Sequence, residues 1–502
     1  MNIPEELLER ISEFIAVRTG LSFPKRRWND LERGFLSAAR EFGFKDAGAC
    51  LNWLLSSEMT RERTETLAGH LTVGETYFFR EKKSFEILEE KVLPELIEAR
   101  RPGKKFLRIW SAGCATGEEP YSIAILLRKM VPDIADWNIS ILASDINPAF
   151  LRGTSRGVYN EWSFRDAPRW LTERYFSKTD EKQFEILTSV RNMVTFFYHN
   201  LAQDAYPSLM NGTNAMDIIL CRNVLMYFTE DQIRKVIGNF HRSLVEGGWL
   251  IVSVCEVSNV LFSQFSTVNI HGMTLYRKQE TVRQAAVEFP DDSCAAPEFP
   301  EIRPVMAYEE ARVYSSMDTV QAQIPESPVP AETPVPDPRK VAAALYSEGH
   351  YAEAAEKIEM LASDAPLSPE DMEVLARANA NMGRLDQARK WCERAVGADK
   401  MNPGRHYLLA TILLEQGRED DSACSLKRAL YLDHNFVLAH FALGNLALRQ
   451  GRLKESKRHF RNALSILKGS SGKEDVVPES EGMTAERLME IIRAMPGKEA
   501  FA

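Results

Sequence analysis

No window of this sequence approaches the run of about 20 apolar residues that a helix needs to cross a bilayer. The opening MNIPEELLERISEF has no basic n-region followed by an apolar stretch, which argues against a secretory signal. Cysteines are few and scattered, at Cys50, Cys114, Cys221, Cys255, Cys294, Cys392 and Cys424, with no CxxC pair among them. Neither a zinc site nor a disulfide framework fits that spacing. Positive charge is also short: 62 Lys and Arg stand against 71 Asp and Glu, a formal net charge of −9. A nucleic-acid enzyme would show a basic footprint instead. The pattern GxxxxGK[ST] is absent, which removes a P-loop. These absences predict a cytoplasmic chain with reduced thiols, no metal, no nucleic-acid partner and no direct membrane insertion.

What is present is an ordinary globular balance, 44% apolar and 26% charged, over 502 residues, enough for two to four domains. Residues 1–70 read as helical, with Leu7, Leu8, Ile11, Phe14 and Ile15 at helical spacing. A break at Thr19-Gly20 and Phe23-Pro24 precedes a basic cluster, Lys25-Arg26-Arg27-Trp28, that is either a solvated helix face or a contact surface. Residues 71–280 change character. Apolar runs at 106–110, 139–143, 216–220 and 249–254 read as buried strands, each followed by a turn and a helical stretch, and 274–278 reads as a closing strand. That alternation predicts an α/β fold with a parallel sheet covered by helices on both faces.

Residues 281–338 hold ten of the 24 prolines, and such a composition cannot bury a core; a largely disordered linker is expected. Residues 339–468 carry an internal repeat, because Gly349, Gly383, Gly417 and Gly451 fall 34 residues apart. Small residues recur at fixed offsets: Ala342, Ala376, Ala410 and Gly444 before the glycines, and Ala395, Ala429 and Ala463 after the last three. A 34-residue helix–turn–helix period with close helix approach is the tetratricopeptide signature, so four such repeats are predicted as an all-α solenoid. The Gly/Ser/Glu-rich residues 469–482 read as loose. Residues 484–495, within a tail at 469–502, read as a capping helix.

The most informative segment is RIWSAGCATGEEPYS at residues 108–122, a strand, a turn bearing Gly113 and Gly117, then a helix. A glycine turn alone fits a dinucleotide site or a plain tight turn. Charge separates these readings. A pyrophosphate sits on bare amides at a helix N-terminus, but Glu118 and Glu119 occupy that first turn here. They would repel a phosphate and attract a cation. S-adenosylmethionine, with an ammonium, a sulfonium and no phosphate, fits better; the alternative is that both glutamates merely cap the helix. Asp145 closes the second strand, where a carboxylate accepts hydrogen bonds from ribose hydroxyls, unless it only caps the next helix.

Four segments together resemble the CheR family of chemoreceptor methyltransferases: GETYFFRE at 74–81, the run at 111–122, the run at 143–146, and LCRNVLMYF at 220–228. Residues 155–159 (SRGVY) and 199–201 (HNL) fit as well, and the resemblance spans about residues 1–280. It implies a Rossmann-like S-adenosylmethionine-dependent domain with a small antiparallel β-subdomain inserted at 160–199, where 182–187 and 193–198 are strand-like. It further implies that Thr76 and Arg80 close over the cofactor and that Glu119 faces the methionyl ammonium. Asp145 would hold the ribose, Asn200 and Leu201 would border the adenine, and Arg222 and Asn223 would line the site near the methyl. Tyr227, with Arg80, would orient the substrate carboxylate. Gly74 replaces a more usual polar residue, so any bond there comes from backbone. Val254-Cys255-Glu256 departs from the family's histidine and serine before the glutamate. The activity implied is protein-glutamate O-methylation of chemoreceptor cytoplasmic domains, releasing S-adenosylhomocysteine, with the repeats gripping a protein partner. A catalytically silent cofactor-binding scaffold acting through its repeats is the competing class.

Overall fold

The computed structural model describes residues 3–57, 59–103, 105–179, 181–279, 337–362, 366–469 and 476–494. The proline-rich stretch 281–338, expected to be a disordered linker, lies outside the described residues up to position 336. The chain opens with four helices: α1 (Glu5–Thr19), α2 (Trp28–Glu41), α3 (Ala47–Ser56) and α4 (Arg61–Leu71). Side chains start two of them, since Asp46 accepts from the Ala49 amide at the head of α3 and Thr60 from the Arg63 amide at the head of α4. Leu8, Ile11, Phe14 and Ile15 of α1 pack on Leu31, Phe35, Leu51 and Leu67, as their spacing predicts.

Two short helices, α5 (Lys82–Ile87) and α6 (Leu93–Arg100), lead into a seven-stranded sheet. Its strands are β1 (Phe106–Ala112), β2 (Asn138–Asp145), β6 (Val194–Tyr198), β7 (Met216–Cys221), β8 (Leu244–Val252), β9 (Ser266–Ile270) and β10 (Met273–Arg277), in the order β6-β2-β1-β7-β8-β10-β9. The first five of that order pair in parallel, and β10 runs antiparallel to both neighbours. Alternate residues of each strand face opposite layers. Leu107, Ile109, Ile218 and Leu220 enter one core, and Trp110, Ala112, Ile219 and Cys221 enter the other. Helices α7 (Glu118–Met130), α8 (Pro148–Thr154) and α11 (Glu230–Ser243) follow β1, β2 and β7.

Three details differ from the reading of the sequence. The strand at 193–198 joins the main sheet, parallel to β2, instead of the small subdomain; its Val194 and Phe196 pack on the main core. The small antiparallel sheet is built from β3 (Val158–Tyr159), β4 (Phe176–Lys178) and β5 (Phe184–Ile186), with α9 (Arg169–Tyr175) and α10 (Thr188–Arg191) alongside in the chain. The strand expected to run to 254 stops at Val252, because Ser253 opens a capping box with Glu256 that turns the chain.

The C-terminal part is four helix pairs: α12 (Pro338–Glu348) with α13 (Tyr351–Leu361), α14 (Pro369–Asn381) with α15 (Leu385–Ala398), α16 (Pro403–Glu415) with α17 (Glu419–Leu432), and α18 (Val437–Arg449) with α19 (Leu453–Gly469). Ala342, Ala376 and Ala410 are fully buried between helices, and at Gly444 a Cβ would press into the Phe460 ring. A last helix, α20 (Ala485–Ala494), covers the array's end, with Leu488, Met489 and Ile492 in one core with Phe460, Leu464 and Leu467.

The turns of the first three repeats lie along the amino-terminal edge of the sheet. Glu415 and Gly417 meet the starts of β1 and β2: Glu415 Oε1 is 3.5 Å from Arg108, and its carbonyl accepts from Asn138 at 3.3 Å. Gly383 sits against Ala215 and Val245, before β7 and within β8, and Gly349 against Arg242 at the end of α11. Between the third repeat and the second the contact thus shifts by two strands. Two strand spacings are about 9.6 Å, close to the 8–10 Å or so between packed helices.

Candidate active site

A cleft opens at the opposite, carboxyl edge of the parallel strands, the edge where such sheets bind ligands. Gly113 and Gly117 make the turn between β1 and α7, at φ of 83° and 89°. A Cβ at Gly113 would collide with Val224 and one at Gly117 with Thr154, so both positions need the bare backbone. The Gly113 and Cys114 amides donate to the Ser144 carbonyl at 2.8 and 2.9 Å, which ties the turn to the end of β2.

The two glutamates of this turn part company. Glu118 is buried away from the cleft, accepting from Thr116 at 2.7 Å and Ser163 at 2.9 Å, and burial raises its pKa. Glu119 lines the cleft. Its Oε1 accepts from Ser111 Oγ at 2.7 Å and its Oε2 from Arg222 at 3.0 Å. Asp145 lines the cleft beside it, 8% exposed. Its oxygens accept from the Ala115 amide at 2.9 Å and the Asn147 amide at 2.8 Å. Burial lifts its pKa to about 6 against the pull of those amides. Each carboxylate oxygen keeps a second lone pair, so the wall can still accept hydroxyl donors.

Of the remaining residues singled out from the sequence, Thr76, Arg80, Asn200, Leu201, Arg222, Asn223 and Tyr227 line the same cleft. Gly74 does not. It packs against the ring of Phe150, which does, and the ring leaves no room for a Cβ. The Arg80 guanidinium is tied back to the Glu75 carbonyl. Arg222, its side chain 2% exposed, also reaches the Arg80 carbonyl and lies 3.2 Å from Glu81. Asn200 anchors the helical domain: its amide nitrogen donates to the Arg18 carbonyl at 2.9 Å.

Two contributors escaped the sequence reading. Glu256 folds the loop that carries Arg222, Asn223 and Tyr227: Oε1 accepts from the Val224 and Met226 amides at 2.8 and 3.2 Å, and Oε2 from the Asn223 and Ser253 amides at 2.9 and 3.0 Å. The spacing Ser253-x-x-Glu256 was a visible capping-box signal for half of this role. The second is Arg27, from the basic cluster. Its guanidinium stands 4.9 Å from the Phe23 ring and 5.0 Å from the Tyr227 ring, and all three line the cleft.

The donor set fits a cationic, phosphate-free ligand. Two carboxylates with spare acceptor capacity face the cleft beside the glycine turn, and Glu118 and Glu119 remain in the first turn of α7, where a phosphate would be repelled.

Comparison with known proteins gives the same direction. Residues 74–272 match the family model described as CheR methyltransferase, SAM binding domain, and residues 342–403 and 407–466 match a tetratricopeptide repeat model. A chemotaxis protein methyltransferase of Borreliella burgdorferi is 30% identical over 258 residues, covering 51% of this chain and 89% of that protein. Chemotaxis protein methyltransferase 2 of Vibrio cholerae is 34% identical over 224 residues, 45% of this chain and 76% of that protein. A probable chemotaxis protein methyltransferase of Rhizobium etli is 34% identical over 229 residues, 45% of this chain and 82% of that protein.

Proposed function

Because the chain belongs to the CheR family of chemotaxis methyltransferases and takes S-adenosylmethionine as its cofactor, we propose that it methylates glutamate side chains of chemoreceptor cytoplasmic domains while its repeat array holds a protein partner. The observation that supports this best is the mixed wall of one cleft. Glu119 and Asp145 stand in it with Arg27, Arg80 and Tyr227.

The cofactor supplies a methyl group on a positively charged sulfur. On this reading Glu119 takes the donor's ammonium and Asp145 its ribose hydroxyls. Leu201 and the backbone about Asn200 border the adenine, and Thr76 closes the edge. A substrate glutamate is ionised at neutral pH, its ordinary pKa being near ~4.3, so no general base is needed. The protein's work is alignment and exclusion of water, which can supply several kcal/mol. Arg80 and Tyr227 orient the acceptor carboxylate by hydrogen bonding, and Arg222 and Asn223 shape the wall near the methyl. Attack neutralises carboxylate and sulfonium together, a change favoured in a cleft screened from water.

The test is transfer of a labelled methyl group to purified receptor cytoplasmic fragments. Base-labile label on receptor glutamates supports the proposal. Cofactor binding with no transfer to any fragment points to the scaffold reading instead.

A further inference from the structure

The first helices of successive repeats form a groove, and in this chain the groove is already filled. Residues 476–484, expected to be loose in their first part, close on themselves through an antiparallel bridge between Val476 and Thr484. The turn they form lowers two glutamates onto one arginine. Glu479 pairs with Nη2 of Arg377 on α14, and Glu481 lies 3.7 Å from Nη1 of the same guanidinium. Arg377 is 16% exposed, with Glu373 one turn back at 3.0 Å. Glu479 also lies over the amino-terminal turn of α16, where a Cβ on Gly404 would come within 3.0 Å of its Oε1. That end of a helix favours a carboxylate. Tyr346 and Tyr407, on the first helices of the neighbouring repeats, feel the charge of Glu481.

Two properties set the tip of this turn apart from the core, in which its Val477 is buried. Charge holds the tip: both glutamates point at a guanidinium and stay partly open, 32% and 22% exposed. Its backbone is unrelaxed as well, with Glu479 and Glu481 at φ of 63° and 56°, a region that L side chains resist.

The occupant also touches the catalytic half. Glu481 Oε2 accepts the Leu209 amide at 3.0 Å, while the Leu209 side chain is buried among Ala376, Ala380, Leu408 and Ile412 of the array. Three residues earlier, the Tyr206 hydroxyl donates to the carbonyl of Leu201 at 3.0 Å, and Leu201 lines the cofactor cleft.

We propose that the groove centred on Arg377 is a binding site for an acidic peptide segment with two carboxylates two residues apart. Glu479-Ser480-Glu481 is its built-in occupant, and a partner's acidic segment enters by displacing that turn. The inference deepens the partner-binding reading of the array and rests on it, and it is independent of methyl transfer. The probe is a fluorescent peptide of sequence VVPESEGMT, residues 476–484 of this chain, added in trans to the full-length protein and followed by anisotropy. Glu479→Gln with Glu481→Gln in the protein should bind the probe at least about tenfold more tightly than the parent, a difference of about 1.4 kcal/mol. Adding Arg377→Gln should abolish that gain, and Arg377→Lys should keep part of it. Cofactor affinity of the same preparations shows that the catalytic half is folded. Equal affinity of parent and double variant, binding indifferent to Arg377, or no binding to any form overturns the proposal. A probe with both glutamates replaced by glutamine that binds equally well overturns the acidic specificity while leaving partner binding by the array intact.

Discussion

Arg222 and Glu119 form a 3.0 Å ion pair that joins the end of β7 to the first turn of α7, and both line the cleft. The pair gives Glu119 a cation partner before any ligand arrives. On the proposed reading, a methionyl ammonium would share the carboxylate with Arg222, and Arg222 would aim it. Replacing Arg222 by methionine frees Glu119 to turn and leaves Glu81 short of a partner. The expected result is cofactor affinity weaker by roughly tenfold to a hundredfold, from about 1.5–3 kcal/mol for a charged hydrogen bond. Calorimetric titration of the variant with S-adenosylhomocysteine checks it.

On the proposed reading, Asp145 should make cofactor binding depend on pH. Burial raises its pKa to about 6, and the ionised form would be the better acceptor for ribose hydroxyls. Affinity should hold from pH 8 to about 6.5, then fall as pH drops through about 6, approaching tenfold per unit. Asp145→Asn should weaken binding at pH 7.5 and flatten this dependence. Titrations at a series of pH values, parent beside variant, read both effects.

Glu256 acts through the loop it holds. Glu256→Gln leaves one acceptor oxygen for four amides, so Arg222, Asn223 and Tyr227 lose their common anchor. Turnover should fall by about tenfold or more, given roughly 1.5–3 kcal/mol for each bond to a charged group. Thermal stability should fall as well, since Glu256 is buried, so turnover is compared below the variant's melting point. Steady-state kinetics alongside a melting curve separate the two.

Arg80→Ala and Tyr227→Phe test the acceptor side. Each should lower kcat by about tenfold or more; Tyr227→Phe should leave S-adenosylhomocysteine affinity nearer the parent value, since a group acting mainly in the transition state affects turnover more than binding, whereas Arg80→Ala, expected to close over the cofactor as well, should weaken both. Unchanged turnover in both variants removes these roles.

The array is joined to the sheet through a buried charge. Arg108 and Glu415 are 5% and 8% exposed, 3.5 Å apart, with Asn214 also on Glu415 at 3.4 Å. Glu415→Ala removes the carboxylate facing this buried guanidinium, which keeps only the Gly212 carbonyl and Asn214 as acceptors among the described residues, and should cost roughly 3 kcal/mol, whereas Arg108→Met with Glu415→Met should recover most of it. Denaturant unfolding of parent, single and double variants measures the difference.

Much of this was legible from the chain. Continuous apolar runs announced β1, β2 and β7 because both faces of a central parallel strand are covered. Strand β9 was missed, since Ser266–Ile270 alternates half-buried with exposed residues and shows no apolar run. The 34-residue glycine period gave the repeats without any structure. Charge and strand position singled out the glycine turn, Glu119 and Asp145, and the fold brings them to one cleft. Arg27 was not placed in the cleft, because its contact with Tyr227 depends on how the helical domain folds back on the sheet. The docking of repeat turns under β1, β2, β7 and β8 was invisible for the same reason: it matches two spacings set by geometry, not by any local motif.

The account depends most on a cationic methyl donor held between Glu119 and Asp145. Isothermal titration of the full-length chain with S-adenosylmethionine at pH 7.5 tests this directly, using the parent, Glu119→Gln, Asp145→Asn and, as a buried control, Glu118→Gln. Saturable binding by the parent, losses of about tenfold or more, or 1.4 kcal/mol, for the first two variants, and near-parent affinity for the third are predicted. Undiminished affinity in both Glu119→Gln and Asp145→Asn would contradict it.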